Sequence, residues 1–385
     1  MTPKALRSDP EKLLRQIMAR FVAQEVAPLA QEIDESGEFP MELFKKLAEM
    51  QAFGIRYAKN KGGSGGNCTL YCIMCEELAK GLLSLAAVAA KQCLMATNFL
   101  YRFGADEIKE RYFMPAMRGE MLGSFCLTEP EAGGDLGRVT TTATDRGDHW
   151  LIQGMKTWIT NAPLASFFTV LCQSDPEKGI RGLNFFLLPR DTKGLTVSPS
   201  FELLGTRTTQ IGEVAFDNCL IPKDHLLGKP GKGLGALLSI LAEIRAMTAA
   251  LALGLSKAAY ETSFQYAQER SQFGKTINNY QLIQAKIADM ATEIWASELM
   301  LYKTAAMIDS GEPCGRESAM LKYFATETAC RACDEATRIM GAYAYSSEYP
   351  AQRYFRDCRF LLYGGGTHEV LKPNIAREAG FWGAR

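Results

Sequence analysis

The sequence predicts an α+β multidomain fold in three successive parts: an N-terminal helical domain (1–121), a middle antiparallel β domain (122–222) and a C-terminal long-helix bundle (223–385). Three observations predict it. Apolar residues recur at helical spacing in the first part, short β-branched and aromatic runs separated by turn residues fill the second, and long proline-free stretches fill the third. A chain of 385 residues is also too long for one ordinary core, so two or three packed subregions are expected.

In the first part, Leu13, Leu14, Ile17, Phe21, Val22 and Val26 share a helix face. The run Gly62-Gly63-Ser64-Gly65-Gly66 interrupts the pattern, which resumes over Cys68–Leu83 and again over Ala86–Phe103. In the second part, Ser124–Leu127, Trp150–Thr160, Phe167–Cys172, Leu183–Leu188 and Val214–Phe216 read as strands, with turn signals such as Asp145-Arg146-Gly147-Asp148 between them. In the third, Leu234–Glu269, Tyr280–Asp309 and Glu317–Met340 read as long helices with short connections, hence a bundle.

Lys plus Arg and Asp plus Glu each number 43, so nothing global favours nucleic acid or an anionic membrane. No uninterrupted apolar run has the ~18–20 residues that span a bilayer, and the N-terminus lacks a basic-then-apolar signal pattern. Eleven scattered cysteines point to reduced thiols and a cytoplasmic setting. Cys68, Cys72 and Cys75 fall at helical spacing. They read as a buried helix face, because free Cys packs as a small apolar residue and no nearby fourth metal ligand is evident.

Two motifs carry chemistry. Cys126-Leu127-Thr128-Glu129-Pro130-Glu131-Ala132-Gly133-Gly134-Asp135 is a loop after a strand, offering a hydroxyl, glycines and backbone N–H groups to a ring carbonyl and a pyrophosphate. Gly154-Met155-Lys156-Thr157-Trp158-Ile159-Thr160-Asn161 lies on a strand. There Trp158 suits covering a planar cofactor and Thr160 suits bonding its edge; a core tryptophan beside a hydroxyl is the plainer reading.

Together, in this order, the two motifs resemble the flavin loop and flavin-covering strand of acyl-CoA dehydrogenases. The resemblance continues through Gly205-Thr206-Arg207, Arg270-Ser271-Gln272-Phe273-Gly274-Lys275 with Gln281, Ile339-Met340-Gly341, Glu348-Tyr349-Pro350, Arg356-Asp357 and Tyr363-Gly364-Gly365-Gly366-Thr367-His368-Glu369. It implies a non-covalently bound FAD contacted by Phe125, Leu127, Thr128, Gly133 and Gly134, with Trp158 and Thr160 against its ring. It further implies that Arg270, Phe273 and Gln281 reach the FAD of a neighbouring subunit, that Arg338 and Gly341 lie in the bundle's cofactor motif, and that Thr367 and Glu369 close over the adenosine end. A homodimer or homotetramer, an acyl-CoA substrate and electron-transferring flavoprotein as electron acceptor follow from the same resemblance.

The pattern breaks at the base. Family members remove the substrate α-proton with a carboxylate while a β-hydride passes to flavin N5. The usual glutamate position, directly before Gly366-Thr367, is Gly365; the alternative, directly before Arg245, is Ile244. Neither takes a proton. Glu243 is one residue away, about 100° around a regular helix, and is the candidate displaced base; the alternative is a solvated or salt-bridged glutamate. Gly134 stands where many members have serine, Arg338 where glutamine is usual and Ala342 where glycine is common. Lys91 aligns with a helix position lining the acyl pocket, and with Arg245 and Gly365 makes the candidate substrate set. Lys91 either snorkels to solvent or pairs with a negative or polar acyl tail, where a charged partner is expected. Three functions are open: α,β-oxidation of an acyl-CoA with a displaced base; enoyl-CoA reduction, diene formation or another elimination on the same fold; or a non-catalytic subunit paired with an active paralogue.

Overall fold

A computed structural model describes residues 9–381; most of the terminal stretch bearing on the signal reading lies outside them. The N-terminal part consists of α1 (Asp9–Phe21), α2 (Ala30–Ser36), α3 (Met41–Glu49), α4 (Cys68–Gly81), α5 (Leu83–Lys91), α6 (Asn98–Phe103), α7 (Asp106–Ile108) and α8 (Met114–Met117). The single helix expected over Ala86–Phe103 starts earlier and is broken: a π-helical turn over Gln92–Ala96 separates α5 from α6.

The strands follow: β1 (Gly123–Cys126), β2 (Thr142–Asp145), β3 (His149–Thr160), β4 (Phe167–Gln173), β5 (Leu183–Pro189), β6 (Leu195–Val197), β7 (Ile211–Pro222) and β8 (Leu226–Leu227). They form one 8-stranded sheet in the order β6-β7-β3-β2-β4-β5-β8, with β1 beside β4. The expectation of an antiparallel sheet holds for most pairs, but β1 and β2 both run parallel to β4. Strand β4 is buried at every position, which suits a strand covered on both faces.

The last part contains α9 (Gly233–Glu269), a short hairpin of β9 (Ser271–Gln272) and β10 (Lys275–Thr276), then α10 (Gln281–Ser310), α11 (Gly315–Met340), α12 (Ala351–Asp357) and α13 (His368–Glu378). Helix α9 is the spine of the molecule. It packs on α4, α10 and α11, and its middle, Ile244–Ser256, is buried throughout. The stretches Leu83–Phe103 and Gly233–Glu269 have the length and mean hydropathy of membrane spans, unlike the sequence expectation, but are mostly packed inside the protein. Cys68, Cys72 and Cys75 are buried thiols of α4, as expected, and no group of potential metal ligands occurs among the described residues.

A buried polar knot ties four helices together. Glu76 of α4 accepts Arg15 of α1 (2.8 Å), Lys257 of α9 (2.8 Å) and the Tyr302 hydroxyl of α10. Burial opposes ionisation of Glu76, yet Lys257 and Arg15 outweigh it and hold the carboxylate below its usual range. Beside the knot the α4 and α9 backbones nearly touch: a Cβ on Gly254 would lie 2.1 Å from the Glu76 carbonyl oxygen. Gly254→Ala is therefore expected to lose about 1–3 kcal/mol or more in a denaturant titration. Gly235→Ala, in the same helix with nothing within 4 Å, should be neutral or gain up to about 1 kcal/mol.

Candidate active site

The Cys126–Asp135 loop is anchored from below by a buried ion pair. Lys156 of β3 reaches Glu129 at 2.7 Å and also donates to the Leu127 carbonyl at 3.1 Å. Glu129 further accepts the amides of Thr140 and Thr141. Burial works against the Glu129 carboxylate, but Lys156 and these hydrogen bonds outweigh it and bring its pKa down to about 2. The Thr157 amide donates to the Thr128 carbonyl, so the loop is laced to the strand that follows it.

That lacing turns the loop's other groups outward. Among the described residues the amides of Thr128, Gly133 and Gly134 meet no protein acceptor, and Gly133 has nothing within 4 Å of a would-be Cβ. Beside Lys156 the β3–β7 register slips between Lys156 and Ile159. The slip holds Trp158 at φ 59° with 61% of its surface exposed. A large aromatic presented to solvent at a strained backbone angle, next to free amides, fits a planar ring and a pyrophosphate. Val370 of α13 packs on this loop: a Cβ on Gly134 would lie 2.9 Å from Val370 Cγ2, leaving little room for a serine there. The start of α13, with Thr367 and Glu369, thus sits beside the glycines, where a helix N-terminus favours an anion.

Arg270 and Gln281 flank the β9–β10 hairpin, and Phe273 sits in its turn. Phe273 is 94% exposed at φ 51°, left almost uncovered by the described residues. Arg338 is tied to Asp334 on its own helix at 2.6 Å, and Gly341 ends that helix at φ 63°. Phe125 lies deeper, packed between Phe99 and Phe185.

The two base positions meet in space. A Cβ built on Gly365 would lie 3.6 Å from Ile244 Cγ2 and 3.4 Å from Thr248 Oγ1. No carboxylate is found in that contact. Gly365 has φ 74°, a left-handed conformation costing an L-residue roughly 1–2 kcal/mol. The vacancy is therefore built into the backbone as well as the side chain. Glu243 is instead ion-paired with Arg56, which stacks 5.4 Å over Tyr71. Arg245 points the other way and donates to the Gly315 carbonyl at 3.2 Å.

Lys91 is half-buried, and among the described residues it meets no carboxylate, so the chain itself supplies no charged partner for it. Its ammonium donates to Thr160 Oγ1 at 2.5 Å and lies 4.7 Å over the Phe360 ring. Lys322 carries no sequence signal, yet it is fully buried and donates to the carbonyls of Leu362 and Gly366 at 2.9 Å each. It clamps the glycine segment from both ends. Burial, then the nearby Arg245, lower its pKa to about 8.

A three-part fold with unpaired loop amides beside an exposed tryptophan at the end of β3 has the features of a cofactor-binding enzyme. Comparison with known proteins is specific. The N-terminal, middle and C-terminal domain models of acyl-CoA dehydrogenases match residues 8–120, 124–219 and 231–380. A benzylmalonyl-CoA dehydrogenase of Aromatoleum aromaticum is 46% identical over 96% of this chain and 98% of its own length. The caffeyl-CoA reductase-Etf complex subunit CarC of Acetobacterium woodii is 34% identical over 96% and 98%. The structure of butyryl-CoA dehydrogenase from Megasphaera elsdenii superposes with a TM-score of 0.94 at 32% identity, covering 97% of this chain and 98% of that one. The chain belongs to the acyl-CoA dehydrogenase family, FAD-dependent enzymes acting on CH–CH bonds.

The Glu129–Lys156 pair makes a pH prediction. Its folded-state pKa lies below the unfolded value, so its stabilisation is present above about pH 4.5 and is lost as pH falls toward about 2. Glu129→Gln should cost about 3–5 kcal/mol at neutral pH, by leaving Lys156 buried and unpaired. It should also flatten the acid limb of a stability-versus-pH curve and raise the FAD dissociation constant.

Proposed function

We propose that this protein oxidises α-carboxylated acyl-CoA thioesters, malonyl-type esters with an apolar β-substituent, with CO2 leaving in place of the α-proton. The observation that carries this reading is the contact of Gly365 with Ile244, where both base positions lack an ionisable group. An ordinary acyl-CoA must surrender a proton and a hydride, and the proton needs a nearby base. An α-carboxylated one does not. The bond from Cα to the carboxylate breaks, its electron pair forms the Cα=Cβ double bond, and the β-hydride leaves to the oxidant. Atoms and charge balance with no proton removed. The Aromatoleum relative is named for a malonyl-type thioester, whose carboxylate sits on the α-carbon.

Bound FAD supplies the hydride acceptor. The chain's own residues do the rest. The wall of Ile244 and Gly365 disfavours a carboxylate relative to neutral CO2, and among the described residues no acid lies at that contact to protonate Cα as its bond to the carboxylate breaks. Lys322 holds the glycine segment to α11. Trp158, Thr128 and Gly133 seat the cofactor, and Thr367 and Glu369 face its far end. The same vacancy leaves enoyl reduction without its proton donor. The intact cradle argues against a non-catalytic subunit. Glu243 remains engaged with Arg56, so a role as displaced base requires breaking a mostly buried pair. Electron-transferring flavoprotein is the proposed electron acceptor, the class of partner in the printed name of the Acetobacterium relative. The exposed Phe273 is consistent with a homodimer or homotetramer, and the free, mostly buried cysteines with a cytoplasmic setting.

The test is anaerobic mixing of the FAD-loaded protein with an arylmalonyl-CoA and, separately, with the matching arylpropionyl-CoA. The first should bleach the flavin with one CO2 released per flavin; the second should leave it oxidised. Equal bleaching by arylpropionyl-CoA would sink the reading. Ile244→Glu, which restores a carboxylate on a helix, should raise bleaching by arylpropionyl-CoA by roughly a hundredfold or more.

A further inference from the structure

Lys91 is a half-buried cation with one hydrogen-bond acceptor among the described residues. It ends α5, just before the π-helical turn, and reaches Thr160 of β3. Its ammonium has three donors. One goes to Thr160 Oγ1 at 2.5 Å, and the Phe360 ring lies below at 4.7 Å. No carboxylate lies within ion-pair distance of Lys91 among the described residues. Burial alone lowers its pKa to about 7.

Thr160 is held on its other side. Its carbonyl accepts the Ser124 hydroxyl at 2.8 Å, and it sits two residues beyond the outward-facing Trp158. A threonine hydroxyl has one hydrogen and two acceptor sites. With an ammonium on one acceptor site, the hydrogen must turn away from Lys91. No protein acceptor meets it among the described residues, so it is free to point toward the cradle.

We propose that Lys91 is a positioning residue for the flavin: it fixes the Thr160 hydroxyl as a donor to the edge of the bound ring and places an uncompensated positive charge behind that donor. A hydroxyl that accepts from a cation donates more strongly. A flavin that takes up a hydride gains negative charge, and a nearby cation in a low-dielectric site favours that state. Lys91 therefore raises the electron affinity of the cofactor. The apolar surroundings that make the lysine costly also make its charge effective. The role does not rest on the substrate reading, because it is expressed in the enzyme before any acyl-CoA binds.

The experiment measures the flavin midpoint potential of the substrate-free holoenzyme, on the acid side of neutrality, by equilibration with a redox dye. Lys91→Met should shift the oxidised-to-reduced equilibrium at least tenfold toward the oxidised form, about 30 mV more negative for this two-electron couple. Lys91→Arg should stay within threefold of wild type. Flavin content after gel filtration checks that both variants are loaded and folded. The Lys91→Met shift should shrink in a Thr160→Val background, since the two groups act in series. An unchanged potential in fully loaded Lys91→Met overturns the proposal. So does a shift of the same size with and without the Thr160 hydroxyl, which would leave no positioning role.

Discussion

Helices α4 and α9 cross backbone to backbone, because Gly254 has no side chain to hold them apart and Glu76 gathers Arg15, Lys257 and Tyr302 around the crossing. Every part of the reaction pocket is referred to this contact. Helix α9 carries Ile244, Arg245 and Thr248. Helix α5 follows α4 after one intervening residue and carries Lys91. The close approach leaves the helices too little freedom to slide, so the pocket wall from α9 and the lysine from α5 keep a fixed relation to the sheet edge that holds Trp158 and Thr160.

Onto this frame the chain adds two clamps with opposite chemistry. The flavin side is held by a paired charge, Lys156 with Glu129, which frees the loop amides to face outward. The glycine segment is held by Lys322, whose ammonium, among the described residues, is bonded to the carbonyls of Leu362 and Gly366. Between them lies a region with a lone cation at Thr160 and no carboxylate at the Gly365–Ile244 contact. That distribution suits a reaction in which an electron pair is released by bond cleavage and collected at the flavin, without a proton being taken at Cα.

The order of helices, sheet and bundle was legible because each has its own hydrophobic period, and α9, α10 and α11 begin and end close to the expected bounds. Parallel pairing of β1 and β2 with β4 was not: β4 is buried on both faces, so its apolar run carries no sign of direction. Strands β2, β6 and β8 are too short for a periodic signal. The motifs singled out Gly365 and Ile244, but neither their contact nor the left-handed backbone at Gly365 was readable, since the two are remote in sequence and glycine adopts either hand. Lys322 and Arg56 were invisible because their partners, the glycine segment and Glu243, are remote in sequence. For Lys91 the sequence raised the question of a lysine in an apolar helix, and only the structure shows that its partner is the Thr160 hydroxyl, remote in sequence.

The central claim is that no base reaches the substrate α-carbon. Hydrogen exchange at that carbon measures this directly. The holoenzyme would be incubated in D2O with a saturated acyl-CoA, under conditions where the flavin stays oxidised, and deuterium at the α-position followed by mass spectrometry. The account predicts exchange no faster than in buffer, with Ile244→Glu restoring it. Rapid wild-type exchange, abolished by Glu243→Gln or Lys91→Met, would contradict it and identify the base.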